Sequence, residues 1–156
     1  MAAVAAAAAL ATALVVVVTG PEAPEDETFV LVGRGGGEPG GGPLAFELKG
    51  KPVRGLYPGA VKQMRITVDN PLGYRLSVQR LSATVTSSSS RRGCPATPAN
   101  LQVKEYTGRL PAIVAAGGRT DLGGAIPVAM PLGAPEKCAG VRFTIAISGV
   151  GYRVAR

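Results

Sequence analysis

From Leu44 onward, apolar and polar residues alternate in short runs that glycine and proline interrupt. The clearest run places Val141, Phe143, Ile145 and Ile147 two residues apart. Residues two apart project from the same face of a β-strand, whereas a helix brings together residues three and four apart. Because 22 glycines and 13 prolines among 156 residues break up any longer pattern, the sequence favours many short strands.

We predict about seven strands, joined by short turns and polar loops. In chain order they span Leu44–Leu48, Met64–Val68, Tyr74–Val85, Leu101–Tyr106, Ala112–Ala115, Ile126–Met130 and Val141–Ile147. The third strand changes phase between Val78 and Leu81, which predicts a β-bulge near Gln79 and Arg80. Pro58-Gly59 and Asn70-Pro71 are turn sequences, and residues 87–93 form a polar loop.

This pattern is typical of an all-β, antiparallel sandwich over residues 44–156. The length of that region suits one domain with a modest core. The alternative fold is a small closed β-barrel, which would use the same alternation and similar turns.

The N-terminal segment Ala2–Thr19 carries no charged residue. Its 18 apolar or nearly apolar residues predict a helix that serves as a signal peptide or a membrane anchor, over residues 1–20. Either role places the remaining chain outside the cytoplasmic membrane, secreted or anchored. If the segment is not cleaved, residues 2–19 contact the membrane.

Residues 21–43 predict a flexible, acidic linker rich in glycine and proline. Two glycine triplets, Gly35–Gly37 and Gly40–Gly42, lie within it. The apolar run Phe29–Val32 interrupts the linker and is a candidate for a short edge strand.

Positive charge concentrates in the region that follows the linker. The whole chain has a formal charge of +7, but residues 44–156 carry sixteen Lys or Arg against five Asp or Glu. A basic face could bind anionic envelope polymers or lipid headgroups. The candidate residues are Arg65, Arg75, Arg80, Arg91 and Arg92. Nucleic acid is not a predicted partner, because the aromatic residues needed for base stacking are few.

Cys94 and Cys138 are the only cysteines. In an exported chain an even count favours a disulfide, which here would close a loop of about 45 residues. Each cysteine precedes a predicted strand. A redox or metal site is the weaker alternative, since there is no CxxC pair and no histidine.

Several of these features occur in a fixed order. Leu56-x-Pro58-Gly59 precedes Val68-Asp69-Asn70-Pro71, and Val78-Gln79-Arg80-Leu81 follows; then come Cys94-Pro95 and Cys138-x-Gly140 with Phe143-Thr144-Ile145. This order resembles a group of secreted actinobacterial proteins with an export segment and one immunoglobulin-like β-sandwich domain. The resemblance covers about Leu56 to Gly149. It implies that fold and an exported location, and it implies no catalytic or binding residue.

The chain lacks histidine, which removes the usual general base near neutral pH and His-based zinc sites. We therefore predict a non-catalytic envelope module with a structural or protein-interaction role and without a cofactor. Its partner would be an envelope protein or an anionic polymer. A hydrolase with paired carboxylates is the less favoured alternative. A calcium site formed by Asp69, Asp121 and Glu136 would lack the usual Asp-x-Asp-x-Asp loop.

Overall fold

The computed structural model describes residues 29–31, 33–36, 46–90 and 92–154, which form nine β-strands and one 3-10 turn at Glu136–Cys138. The strands are β1 (Phe29–Leu31), β2 (Gly33–Gly36), β3 (Glu47–Gly50), β4 (Val61–Asp69), β5 (Leu76–Ser88), β6 (Gln102–Val103), β7 (Ala112–Val114), β8 (Arg119–Ala129) and β9 (Phe143–Arg153). Within the described residues, no helix is long and apolar enough to cross a bilayer.

The strands form two mostly antiparallel sheets. In the β4–β8 sheet, β4 pairs with β3 on one side and with β8 on the other, and β6 adds to β8. In the β5–β9 sheet, β5 pairs with β9 along its whole length and with β7 at its first three residues. Among the described strands the order runs from β6 to β7 without closing, so the sandwich arrangement is confirmed and the closed barrel is wrong.

The two N-terminal strands lie beside β9, and β2 joins the two sheets. β1 runs parallel to β9, with Phe29 opposite Thr144. β2 then pairs through Gly33 and Arg34 with β3, and through Gly35 and Gly36 with β9. β1 confirms the short strand predicted within Phe29–Val32. β2 is strand where the sequence predicts linker, which corrects the prediction for residues 21–43 at Gly33–Gly36. The predicted helix of residues 1–20 lies outside the described residues.

The alternating apolar positions supply the core, as the sequence predicts. Met64, Ile66 and Val68 of β4 and Ile145 and Ile147 of β9 are at most 2% exposed. Other members come from β3, β5, β7 and β8, and from the loops between strands. The core therefore lies between the two sheets, where side chains from both inner faces meet.

Glycine on β9 allows the two sheets to approach closely. A Cβ atom at Gly151 would lie 2.9 Å from Leu76 Cδ1 and 3.0 Å from Phe46 Cε1. A Cβ atom at Gly149 would lie 3.0 Å from Leu48 Cδ1. These glycines face inward and leave room for the side chains of the opposite sheet. Pairing with β5 extends β9 to Arg153, beyond the predicted end at Ile147.

The loops gather at two ends of the sandwich. At the disulfide end lie the start of β4 and β9, the end of β5 and β8, and the loops that carry Cys94 and Cys138. At the opposite end, called the Asn70 end, lie the turn after β4 and the turn between β7 and β8. Since β1 is parallel to β9 and begins opposite Thr144, the chain joins the sandwich at the disulfide end.

Candidate functional site

The disulfide is confirmed. Cys94 and Cys138 are bonded, their Cα atoms are 5.3 Å apart, and neither residue is exposed to solvent. The loop at Cys94 is further fixed by the hydroxyl of Ser88, which donates to the Cys94 carbonyl at 2.5 Å. The cystine is a buried cross-link and not an accessible redox pair.

The arginines of the predicted basic face do not share one surface. Arg65 projects from β4, and Arg80 projects from β5 of the other sheet. Arg75 precedes β5 at the Asn70 end, whereas Arg92 lies in the loop at the disulfide end. All four are exposed, and Arg91 lies outside the described residues. The fold therefore distributes these charges instead of concentrating them.

A network of ion pairs covers the outer face of the β4–β8 sheet near the Asn70 end. Arg119 Nη2 lies 2.7 Å from Asp69 Oδ2, and Lys49 Nζ lies 3.5 Å from the same oxygen. Lys49 also contacts Glu47 at 3.0 Å. The hydrogen bond from Arg119, followed by its charge and that of Lys49, lowers the pKa of Asp69 below its ordinary value.

The second carboxylate of this face, Asp121, is held in the same way. The hydroxyl of Thr67 donates to Asp121 Oδ1 at 2.5 Å, and Lys51 Nζ lies 3.6 Å from Oδ2. The Thr67 hydrogen bond, together with the Lys51 charge, lowers the pKa of Asp121. Both aspartates are thus stabilised as anions, which suits an ion pair and not a general acid.

The three acids named for the calcium alternative are not gathered. Asp69 and Asp121 lie on β4 and β8, whereas Glu136 lies in the 3-10 turn at the disulfide end. Within the described residues, no group of three or more Asp, Glu, Cys or His side chains is arranged to hold a metal ion.

Along its middle, the outer face of the β5–β9 sheet carries small, uncharged side chains. Ser82 lies opposite Ser148, with their hydroxyl oxygens 2.7 Å apart, and Thr84 lies opposite Ala146. Ser82, Thr84 and Thr86 are exposed. Short hydroxyl side chains make this face flat, in contrast to the charged face of the other sheet.

A groove opens between the edges of the two sheets, where β5 faces β6 and the segment after it. Two adjoining cavities of about 360 and 400 Å³ form this β5 groove. Its apolar lining residues are Leu81, Ala83, Val85, Ala96, Leu101, Val103 and Leu110. Arg80, Lys104 and Glu105 lie at its rim, and the described residues form no ion pair with any of them.

One wall of the groove is a strand with a free edge. In the described part of the chain, β7 covers β5 only at Leu76–Val78, so Arg80–Val85 is hydrogen-bonded to β9 alone. Register shifts at Gln79 and Thr86 bracket this regular stretch. An uncovered strand edge presents unpaired N–H and C=O groups, which can bind another extended chain.

The sequence did not predict the groove, but it did predict β5, the strand that forms one wall of the groove. The phase slip predicts the bulge at Gln79, which the register confirms. The groove itself depends on the spacing between β5 and β6, which are separated along the chain and belong to different sheets. The small side chain of Ala83 is the one local signal that this wall is not filled.

Comparisons with protein-family models, with curated proteins and with solved structures give no match for this chain.

Proposed function

We propose that this protein is a non-catalytic, immunoglobulin-like module that makes a structural or protein interaction at the cell envelope. The domain of residues 44–156, with β1 and β2 at its edge, is the interacting part. Residues 1–20 would export it as a signal peptide or hold it as an anchor, so that it acts outside the cytoplasmic membrane.

The β5 groove carries this proposal. It combines an uncovered strand edge at Arg80–Val85 with an apolar floor that includes Leu81 and Val103. Strand edges and apolar clefts are the elements by which proteins bind extended segments of other proteins. Two cationic side chains, Arg80 and Lys104, stand against one carboxylate, Glu105, at the rim, and this excess of positive charge favours a segment that carries carboxylates.

The buried cystine supports the location. Disulfides persist in oxidising compartments and are rare in the cytoplasm, where thiols are kept reduced. Cys94 and Cys138 are both inaccessible to solvent, so their bond is structural. A structural disulfide favours a location outside the cytoplasm.

Ion pairing of the carboxylates supports a non-catalytic role. Asp69 and Asp121 each contact a cationic side chain, and their pKa values are lowered. A carboxylate hydrolase needs one acid whose pKa is raised, so that it can donate a proton near neutral pH. Neither aspartate meets this requirement.

Site-specific photo-crosslinking in the native cell tests the proposal. A photoreactive side chain at Thr84, on the groove wall, should yield a crosslinked envelope protein that mass spectrometry identifies. The same group at Gln63 is the matched control, because Gln63 is exposed on β4 of the other sheet. The absence of crosslinks at Thr84, or protection of the domain from protease added to spheroplasts, would contradict the proposal.

A further inference from the structure

Three large apolar residues are exposed on two adjacent turns at the disulfide end. Tyr57 and Val61 are each 58% exposed, and Leu132 is 83% exposed. Together they form what we call the apolar tip. Tyr57 and Val61 flank the turn that ends at Ala60, and Leu132 lies in the turn after β8.

Backbone hydrogen bonds hold these two turns together. Gly59 N donates to Met130 O at 2.8 Å, and Met130 N donates to Ala60 O at 2.9 Å. Leu132 Cδ1 lies 3.3 Å from the position that a Cβ atom would occupy at Gly59. The residues of the apolar tip therefore lie on two turns that hydrogen bonds hold together.

The core does not require these exposed side chains. Their neighbours Leu56, Ala60, Met130 and Ala134 are at most 7% exposed and already fill the interior at this end. In the described part of the chain, Ile113 is the other exposed large apolar residue, and it lies on β7 of the β5–β9 sheet. Clustering of three such residues on two linked turns marks a contact surface.

Positive charge surrounds the apolar tip. In the described part of the disulfide end, one acidic residue, Glu136, accompanies several basic ones. The basic residues are Arg54, Lys62, Arg92, Lys137 and Arg142. Four acids, Glu22, Glu25, Asp26 and Glu27, precede β1 in the sequence, but the described surface of this end is basic, which favours a surface that is itself anionic.

The chain approaches the sandwich at this same end. Phe29 pairs with Thr144 near the start of β9, so the nine residues 20–28 connect the apolar segment Ala2–Thr19 to the disulfide end. Fully extended, nine residues span about 30 Å. If the apolar segment lies in a bilayer, the tip faces that bilayer at close range.

We propose that the apolar tip docks on an anionic phospholipid surface. Leu132 and Val61 enter the boundary between headgroups and acyl chains, the Tyr57 ring lies at headgroup level, and Lys62, Arg92 and Lys137 contact lipid phosphates. This proposal rests on the proposed location outside the cytoplasm, and it is independent of the β5 groove. Docking at this end leaves the groove free for a protein partner.

A single tryptophan reporter tests the docking, because the chain has no tryptophan of its own. The full-length Leu132→Trp variant is reconstituted with vesicles that contain phosphatidylglycerol and brominated acyl chains. Its emission should shift to shorter wavelength and be quenched roughly twofold or more. Ile113→Trp is the control: it uses the other exposed apolar position, so its emission should remain as in buffer.

Val61→Trp provides a second reporter if Leu132→Trp does not fold, as judged by its melting temperature. Quenching of Ile113→Trp as strong as that of the tip reporters would overturn the proposed orientation. Emission from both tip reporters that is unchanged by vesicles would overturn docking itself. Equal quenching in pure phosphatidylcholine would overturn the requirement for anionic headgroups. None of these results depends on whether Thr84 crosslinks to a protein.

Discussion

The two ends of the sandwich are held by different means. At the disulfide end, one covalent bond joins two loops that are 44 residues apart in the sequence. At the Asn70 end, the hydrogen bonds of one amide side chain connect the turns. Asn70 is fully buried, donates to Tyr74 O at 2.9 Å and to Ala115 O at 2.8 Å, and accepts from Leu72 N at 3.1 Å.

The difference follows from the loops that each end must order. Short turns follow β4 and precede β8, so a side chain of Asn length reaches both. Longer segments follow β5 and β8 at the other end, and ordering them costs more conformational entropy. A cross-link removes much of that entropy from the unfolded chain, which a single hydrogen bond cannot do.

Removal of the cystine should have the largest effect. The double change Cys94→Ala and Cys138→Ala should cost about 4 kcal/mol and lower the melting temperature by more than about 10 °C. Circular dichroism checks the temperature. Hydrogen exchange should show faster opening at the disulfide end, with the Asn70 end nearly unchanged; equal loosening of both ends would contradict the comparison.

Two buried asparagines allow the ends to be compared by the same substitution. Asn70→Ala removes two donated hydrogen bonds and the one that Asn70 accepts from Leu72 N, which should cost about 2 to 3 kcal/mol. Asn100→Ala, at the disulfide end, removes one hydrogen bond to Pro95 O and should cost about 1 kcal/mol. Urea unfolding measures both, and a larger loss for Asn100→Ala would refute the role given to Asn70.

Acid should loosen the Asn70 end by a smaller amount. The folded state lowers the pKa of Asp69, whose ion pair with Arg119 adjoins Asn70. A lowered pKa contributes stability above the unfolded value of about 3.9, and this contribution is lost as pH falls below it. The stability difference between pH 6 and pH 2.5 should therefore be smaller in Asp69→Asn than in the wild type. An equal difference in both proteins would exclude a contribution from Asp69.

A core strand with one solvent-exposed face is well predicted by the alternation of its apolar and polar residues. Met64, Ile66 and Val68 are buried as expected, and the phase slip after Val78 corresponds to a real register shift. The second shift, near Thr86, was not predicted. Residues there are serines and threonines, which fit either face and so carry no phase signal.

The ends of strands were less predictable, because the hydrogen-bonding groups of the neighbouring strand determine where pairing stops. The strand predicted over Leu101–Tyr106 is reduced to Gln102–Val103. Its neighbour on β8 at the next position is Pro127, which accepts from Lys104 N but has no N–H to donate, so the regular ladder stops there. Residues 101–106 alone contain no sign of this proline.

The sequence by itself determined the all-β class, the sandwich core and the pairing of Cys94 with Cys138. The first two follow from the two-residue repeat of apolar side chains, and the third follows from the count of cysteines. None of the three requires knowing which strands pair. Only the tertiary structure decided that the predicted arginines are dispersed, that β5 keeps an uncovered edge in the described part of the chain, and that Tyr57, Val61 and Leu132 lie on two adjacent turns. These features join residues distant in sequence, and their positions depend on how two sheets stack, which no local pattern encodes.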